Sequence, residues 1–411
     1  MQTDRAVWRY YLYRCLSTLG LLNPFLVLFL LDRGISFTAI SVAASSMALT
    51  TVLLEVPSGY LGDRLGRRQT LLIAKVATAL GASLWFFVDS LATVVVVQTL
   101  NGAGVALKSG SDSAWVYEVL EDTDRAFTDV RARAQSLSQW TYGLTGIVGA
   151  VVYLTLPWVA FLLAAVGAWL AAALVWTFPR DADYRDEDGS ALSPTEAASA
   201  TASFLRQDAT RSLVLIATVY AGVMYTGSQF VQPLVAGAIP GGGLTAAALD
   251  VPEVVFLALL YGVLAAGSAI VVDRAGWLED RLGTARAVVG VYLFGAVGML
   301  LPAIHPVFVV PAVLAFRTVP SVAAPIRNSY LHDHADAVGR ATEMSAVSFL
   351  YAVARVPVLL VAGRVADLFS ETTAFVGLGA YAVLAVGLIV AADRPLVVPV
   401  SGEQRGATAA E

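Results

Sequence analysis

The sequence predicts an all-α polytopic membrane protein, with twelve transmembrane helices in two pseudo-symmetric six-helix bundles. Three observations carry that prediction. The 411 residues are 57% hydrophobic and 14% charged, with a mean hydropathy of +0.71, whereas a soluble chain carries about 25% charged residues. Apolar stretches long enough to cross a bilayer recur along the chain. One polar hairpin sequence occurs twice, at matching places in the two halves.

Composition excludes several classes. Disorder goes with low hydrophobicity and high charge, the reverse of what is seen. A single cysteine, Cys15, rules out a disulfide framework and any Cys-based zinc or iron–sulfur site. Three histidines leave little for a metal centre, and no phosphate-binding loop is present, so neither metal nor cofactor is expected. Nothing points to nucleic acid; the expected partners are the lipid bilayer and a small-molecule solute. The 16 Pro and 34 Gly suit kinked membrane helices. Net charge is −5, and of the 26 basic residues only Lys75 and Lys108 are not arginine. Acidic, lysine-poor polar segments would suit the salt-rich cytoplasm of a halophilic archaeon; a GC-rich genome would exchange Lys for Arg as well.

A spanning helix needs about 20 apolar residues. By that measure the spans fall at 8–31, 38–61, 69–89, 91–117, 134–154, 157–178, 212–235, 254–274, 285–304, 307–329, 343–364 and 372–392. The first is too long for the core of a cleaved leader, and the DRGIS after it offers no small-residue cleavage site. With the N-terminus in the cytoplasm, 18 of the 26 basic residues fall on the inner side and two, Arg33 and Arg364, outside. That bias satisfies the positive-inside rule and puts both termini in the cytoplasm of a cell-membrane protein. The stretch 179–211 is acidic, rich in Ala and Ser, and too poor in large apolar residues to build a domain. It divides the chain into bundles 1–178 and 212–392, followed by a tail, 393–411; its 200–208 part could lie as a short helix on the inner membrane face.

Between spans 2 and 3 stands GYLGDRLGRR (59–68), and between spans 8 and 9 GWLEDRLGTAR (276–286). At an offset of 217, Gly59/Gly276, Leu61/Leu278, Asp63/Asp280, Arg64/Arg281, Leu65/Leu282 and Gly66/Gly283 are identical, the mark of an internal repeat. A fainter echo joins RARAQSLS (131–138) to GRATEMSA (339–346). Gly59 and Gly66 would permit a tight turn, Asp63 could meet a helix N-terminus, and Arg64, Arg67 and Arg68 form a positive cluster able to latch one state of two rocking bundles.

GYLGDRLGRR resembles motif A of the major facilitator superfamily, G-x-L-x-D-R-x-G-R-R/K, at the loop where that family carries it. Twelve spans, a central inner loop and the degenerate copy after span 8 extend the resemblance over the whole chain. It implies a secondary transporter working by alternating access around a cavity lined mainly by spans 1, 4, 7 and 10, with Glu118 as the acid that pairs with Arg67, and one chain sufficient for function. The chain departs from the family's proton-driven drug exporters. NGAGVA (101–106) fits their span-4 pattern, but Gln98 stands where they carry Arg, and TGIVGA (145–150) has Gly146 in place of their Pro. LEVPSG (54–59) and LKSGSDSAW (107–115) resemble poorly characterised bacterial and archaeal members.

Charge inside a membrane costs about 2.5–3.5 kcal/mol per group on insertion scales, so polar residues there need partners or water. Span 4 aligns Gln98, Asn101, Lys108 and Asp112 on one face. Span 1 aligns Tyr10, Arg14 and Ser17; span 7 aligns Thr218, Tyr225, Gln229 and Gln232. Span 10 adds Arg317, and span 11 adds Ser348, Tyr351 and Arg355. Lys108 and Asp112, one turn apart, are expected to neutralise each other. Arg14, Arg317 and Arg355 then face only Glu55, a cationic excess pointing to a solute with a carboxylate or phosphate; the other reading has each Arg on backbone carbonyls. Asp112 and Glu55 are the buried carboxylates available for proton coupling. Trp85, Phe86 and Phe87 read as interfacial anchors, Ser109 and Gly110 as a close-packing site, and HDHAD (332–336) and EDTD (121–124) as solvated loops. The function expected is secondary transport of a small organic solute. An exporter of amphipathic compounds and a membrane-embedded lipid-modifying enzyme are the alternatives.

Overall fold

A computed structural model describes residues 2–120, 126–179, 208–238, 253–272, 274–334 and 340–392. Hydrocarbon offers backbone groups no hydrogen-bond partner, so each apolar stretch must satisfy its own backbone as helix. The helices are α1 (Gln2–Leu16), α2 (Leu26–Asp32), α3 (Phe37–Leu65), α4 (Arg67–Leu84), α5 (Leu91–Leu120), α6 (Phe127–Thr155) and α7 (Pro157–Trp176). Beyond the 179–211 connection follow α8 (Asp208–Ala238), α9 (Glu253–Val272), α10 (Ala275–Leu282), α11 (Thr284–Gly298), α12 (Val309–His334), α13 (Arg340–Leu368) and α14 (Glu371–Ala392). Among the described residues there is no strand, and nine helices are long and apolar enough to cross a membrane. The other three expected spans correspond to the α1–α2 pair, α6 and α9. The 200–208 helix and the EDTD and HDHAD side chains lie outside the described residues.

Within the first half, α5 packs between α3 and α4, and α4 packs on α7; within the second, α11 packs on α12, and α8 on α13 and α14. Close approach at α5 comes from NGAGVA. A Cβ on Gly102 would stand 2.6 Å from the Met47 carbonyl oxygen, and one on Gly104 2.3 Å from Thr78 Oγ1. Gly110, expected to pack closely, has nothing within 4 Å of a Cβ; contact falls two turns earlier, where α3 and α4 flank the helix. Among the described residues, the halves meet chiefly where α3 packs on α13 and α6 on α9, with α2 touching α8.

The repeated hairpin differs from the expected loop. Helix continues through Gly59 to Leu65, and through Gly276 to Leu282, so neither leading glycine makes a turn. The reversal falls on one residue in each copy: Gly66 at φ 88°, ψ 152° and Gly283 at φ 77°, ψ 153°, a conformation that costs an L-residue dearly. Each glycine N–H bonds back to the carbonyl four residues earlier, Gly62 at 3.0 Å and Glu279 at 2.8 Å, and each glycine carbonyl starts the next helix. Side chains repeat as well. Arg64 lies over the Tyr60 ring at 6.0 Å and Arg281 over Trp277 at 4.9 Å, at positions the same offset relates. The Asp63 and Glu118 side chains, part of the expected latch, lie outside the described residues. Arg67 folds back on Gly62, where an added Cβ would meet its Nη1 at 2.6 Å.

The first span is not one helix. α1 ends at Leu16 and α2 begins at Leu26, leaving 17–25 (STLGLLNPF) in turns. Pro24 has no N–H to donate. The turns let α6 come within backbone contact: a Cβ on Gly149 would stand 1.9 Å from the Leu21 oxygen. Gly149→Ala is therefore expected to destabilise the protein by about 1–3 kcal/mol, read as a lowered thermal midpoint in detergent. Gly143→Ala, on the same helix with nothing within 4 Å, is expected to leave it unchanged.

Candidate functional site

Non-helical backbone at membrane depth is tolerated where protein or a cavity surrounds it, and broken helices line the binding sites of many transporters. The 17–25 segment meets both conditions. Gly20 N–H donates to Thr145 Oγ1 on α6 at 2.8 Å, and the Asn23 carbonyl accepts from Gln232 Nε2 on α8 at 2.6 Å. Asn23 also borders three cavities.

The first cavity, about 300 Å³, lies between the halves, bounded by Gly20 and Asn23, by Gln139 and Tyr142 on α6, and by Tyr261 and Arg317 of the second half. Arg317 donates to Ser228 Oγ at 3.4 Å and sits 5.3 Å from the centre of the Tyr261 ring. A second, about 350 Å³, brings together Gln98, Tyr225, Ser228, Gln229 and Gln232. Arg355 approaches the same turn of α8 from α13, its guanidinium 4.3 Å from the Tyr225 ring centre and its Nε buried without a partner. Among the described residues neither Arg317 nor Arg355 meets a carboxylate. The third cavity, about 250 Å³, is lined by the first half alone and includes Lys75, Asn101 and Tyr142.

Toward the Gly66 end of the first half lies a charge cluster. Asp112, 6% exposed at its side chain, accepts from Arg14 Nη1 at 2.9 Å and from Arg131 Nη1 at 3.4 Å. Arg14 Nη2 continues to Gln135 Oε1 at 3.1 Å, and Arg131 to the Tyr10 hydroxyl at 3.3 Å. The expected Lys108–Asp112 pair is thus replaced. Two guanidiniums from α1 and α6 share one carboxylate oxygen, Oδ2, while Oδ1 is buried without a hydrogen-bond partner; a guanidinium offers several fixed donors where Lys108 offers a single point charge. Arg131, which stands just before the fifth predicted span, belongs to this cluster. Arg14 is neutralised by Asp112 and drops out of the expected cationic excess, while Lys75 and Lys108 enter it.

At the face opposite the Gly66 and Gly283 turns, second-half side chains cap first-half helices. Gln232 Oε1 accepts from the Val27 and Leu28 N–H groups at the start of α2, at 2.9 and 3.4 Å. Asp367 accepts from Phe37 and Thr38 N–H at the start of α3, at 2.8 and 2.9 Å. The first N–H groups of a helix have no partner within it, and the helix dipole favours a carboxylate there. Ser36 caps Ala39 of the same turn, so α3 has one cap from its own chain segment and one from across the seam. Nearby, Arg33 donates to the Phe86 and Val88 carbonyls and stacks on Phe29 and Phe86. Trp85 is 7% exposed against a core instead of anchoring at an interface; only Phe87, 68% exposed, fits that expectation.

Of the residues singled out from sequence, the structure brings Gln98, Tyr225 and Gln229 to one cavity wall, with Asn101 donating weakly to Gln98 at 3.4 Å. Arg317 lines the inter-half cavity. Asn23, Lys75, Arg131, Tyr142, Tyr261 and Asp367 were not singled out. An Asn-Pro pair inside an apolar stretch was the readable sign of the break; tertiary partners far apart in sequence left none.

The Major Facilitator Superfamily pattern matches residues 15–343. With the helical architecture, this shows that the chain belongs to that superfamily, a family of secondary transporters and not of enzymes. A curated relative, the uncharacterized MFS-type transporter YxaM of Bacillus subtilis, is 25% identical over 101 residues, about a quarter of each chain. The chain thus spans about a quarter of that relative's length. Among solved structures, the nucleoside transporter NupG superposes with a TM-score of 0.78 at 11% identity, covering 95% of this chain and 98% of its own. A POT family transporter in complex with 5-aminolevulinic acid gives 0.68 at 14%, covering 96% of both. The human organic anion transporter MFSD10 gives 0.59 at 17%, covering 95% and all of that chain. At these identities the likeness concerns the fold.

Breaking a buried pair from one side strands the other charge, at a cost of about 3–5 kcal/mol. Asp112→Asn is therefore expected to lower the thermal midpoint more than Arg131→Gln, since Arg131 is 36% exposed and Asp112 6%. Differential scanning fluorimetry of the two variants gives the order.

Proposed function

We propose that the chain carries a small organic solute bearing a carboxylate or phosphate across the cytoplasmic membrane by alternating access, coupled to protons. The supporting observation is the placement of Arg317, on the wall of the 300 Å³ cavity, and of Arg355, stacked on the Tyr225 ring that lines the 350 Å³ one; the two arginines meet the same turn of α8 while resting on tyrosine rings and a serine hydroxyl. A guanidinium kept at membrane depth with no carboxylate retains unused donors suited to an anionic group. Cavities of 300 and 350 Å³ match small metabolites. The fold is compatible with such cargo, since relatives of this architecture include a POT transporter in complex with sulfate and an organic anion transporter.

In this reading the Gly66 and Gly283 turns and both termini face the cytoplasm, so the Gln232 and Asp367 caps close the outer side and the cavities belong to the inward-facing state. The halves 1–178 and 212–392 are the rocking bodies, and the repeated hairpins, with Asp63, Asp280 and Glu118, steady the opposite state. Coupling is assigned to the carboxylates of the spanning helices, Asp112 and Glu55; Asp112 ties α5 to α1 and α6 through Arg14 and Arg131.

Proteoliposomes screened with carboxylate and phosphate metabolites test this. Arg317→Gln and Arg355→Gln are each expected to reduce uptake by about tenfold or more, the worth of a charge-assisted hydrogen bond. A protonophore is expected to abolish accumulation. Unaltered transport of every anionic candidate by both variants would contradict the anionic cargo, and accumulation insensitive to the protonophore would contradict the coupling.

A further inference from the structure

The two lysines of this chain stand apart from its arginines. Both lie in the first half's spanning helices, Lys75 on α4 and Lys108 on α5, while every other basic residue is Arg. A lysine ammonium is a compact charge that fits where a planar guanidinium does not. Lys75 is the deeper, 5% exposed, eight residues past Arg67 and so about 12 Å along α4. Among the described residues it makes no hydrogen bond or ion pair; its ammonium faces the Tyr13 ring, 5.3 Å from Nζ to the ring centre. Asp112 is within Coulombic reach, as are Arg14 and Lys108, but its ion pairs run to Arg14 and Arg131, both through Oδ2, and none reaches Lys75. Among the described residues, four basic side chains, Arg14, Lys75, Lys108 and Arg131, thus gather around the one carboxylate of Asp112.

An ammonium at membrane depth without an anion is costly, and Lys75 borders the cavity of about 250 Å³ in which an anion would fit. Ser17, from the broken segment, lines the same space, and its Oγ is buried without a partner. Asn101 faces it as well, its amide committed only to the long 3.4 Å contact with Gln98.

We propose that this cavity binds a small monovalent anion, either a halide or a carboxylate group, through the Lys75 ammonium with Ser17 and Asn101 donating hydrogen bonds. The site adjoins the Arg317 cavity across Asn23 and Tyr142, but Arg317 does not line it. Only first-half residues enclose it, so its anion stays with that half as the seam opens and balances the cationic cluster in both states.

The test uses purified full-length protein in detergent, with sodium isethionate replaced at constant ionic strength by chloride, bromide, formate or acetate. The unfolding midpoint of the unaltered protein is expected to rise saturably, by about 2 °C or more. Lys75→Met should lose that rise. Ser17→Ala, which keeps the ammonium, should shift the half-saturating concentration upward by about tenfold. Arg317→Gln should retain the full response, which separates this site from the solute cavity. A rise with halides alone assigns an inorganic ion; a rise with formate and acetate alone assigns the carboxylate of an organic molecule. Absence of any anion-specific rise in the unaltered protein overturns the proposal, as does a curve that neither Lys75→Met nor Ser17→Ala changes.

Discussion

A hydrocarbon interior supplies no partner to a polar group, and the local features of this protein follow from that constraint. Where the first span breaks between Leu16 and Leu26, the stranded backbone must be satisfied by other helices. Thr145 and Gln232 do this, one from each half. Because the partners come from both halves, the break becomes a junction. It ties α1 and α2 to α6 and α8 and leaves Asn23 on the wall of every cavity that surrounds it. A straight helix would have buried those same groups against itself and left nothing to bind with.

The same constraint shapes the seam. Helix starts leave N–H groups unpaired, and α2 and α3 complete theirs with side chains from across the interface. Such a closure differs from a hydrophobic plug. Under the proposed rocking, water takes over the N–H groups and the Gln232 and Asp367 acceptors when the halves part, which limits the cost of opening. Ser36 holds the first turn of α3 when Asp367 is away. Near-balance between states is what a two-state carrier requires.

Much of this was legible in the sequence because it is periodic or repeated. Apolar length revealed the spans, and the Gly-x-Leu-x-Asp-Arg-Leu-Gly repeat revealed the halves, down to the matched backbone at Gly66 and Gly283. Less was legible at the site. Spacing along a helix can propose only neighbours on that helix, which is why Lys108 seemed the partner of Asp112 when the partner was Arg14, 98 residues away. Hydropathy could not see the break, since Leu19, Leu21 and Leu22 are as apolar in turns as in helix. Lys75 stood out only as one of two lysines among arginines; alone among Leu, Ile and Ala it joins no helical pattern that would give it a role. Its meaning comes from the cavity beside it.

Opposed motion of the two faces is the central claim, and interspin distances measure it most directly. In a Cys15→Ser background, one labelled pair, Asp89→Cys with Ile304→Cys, spans the capped face; a second, Arg64→Cys with Arg281→Cys, spans the hairpin face. Weakening the seam with Asp367→Asn should lengthen distances in the first pair and shorten them in the second. Both pairs changing in the same sense, or neither changing, would contradict it.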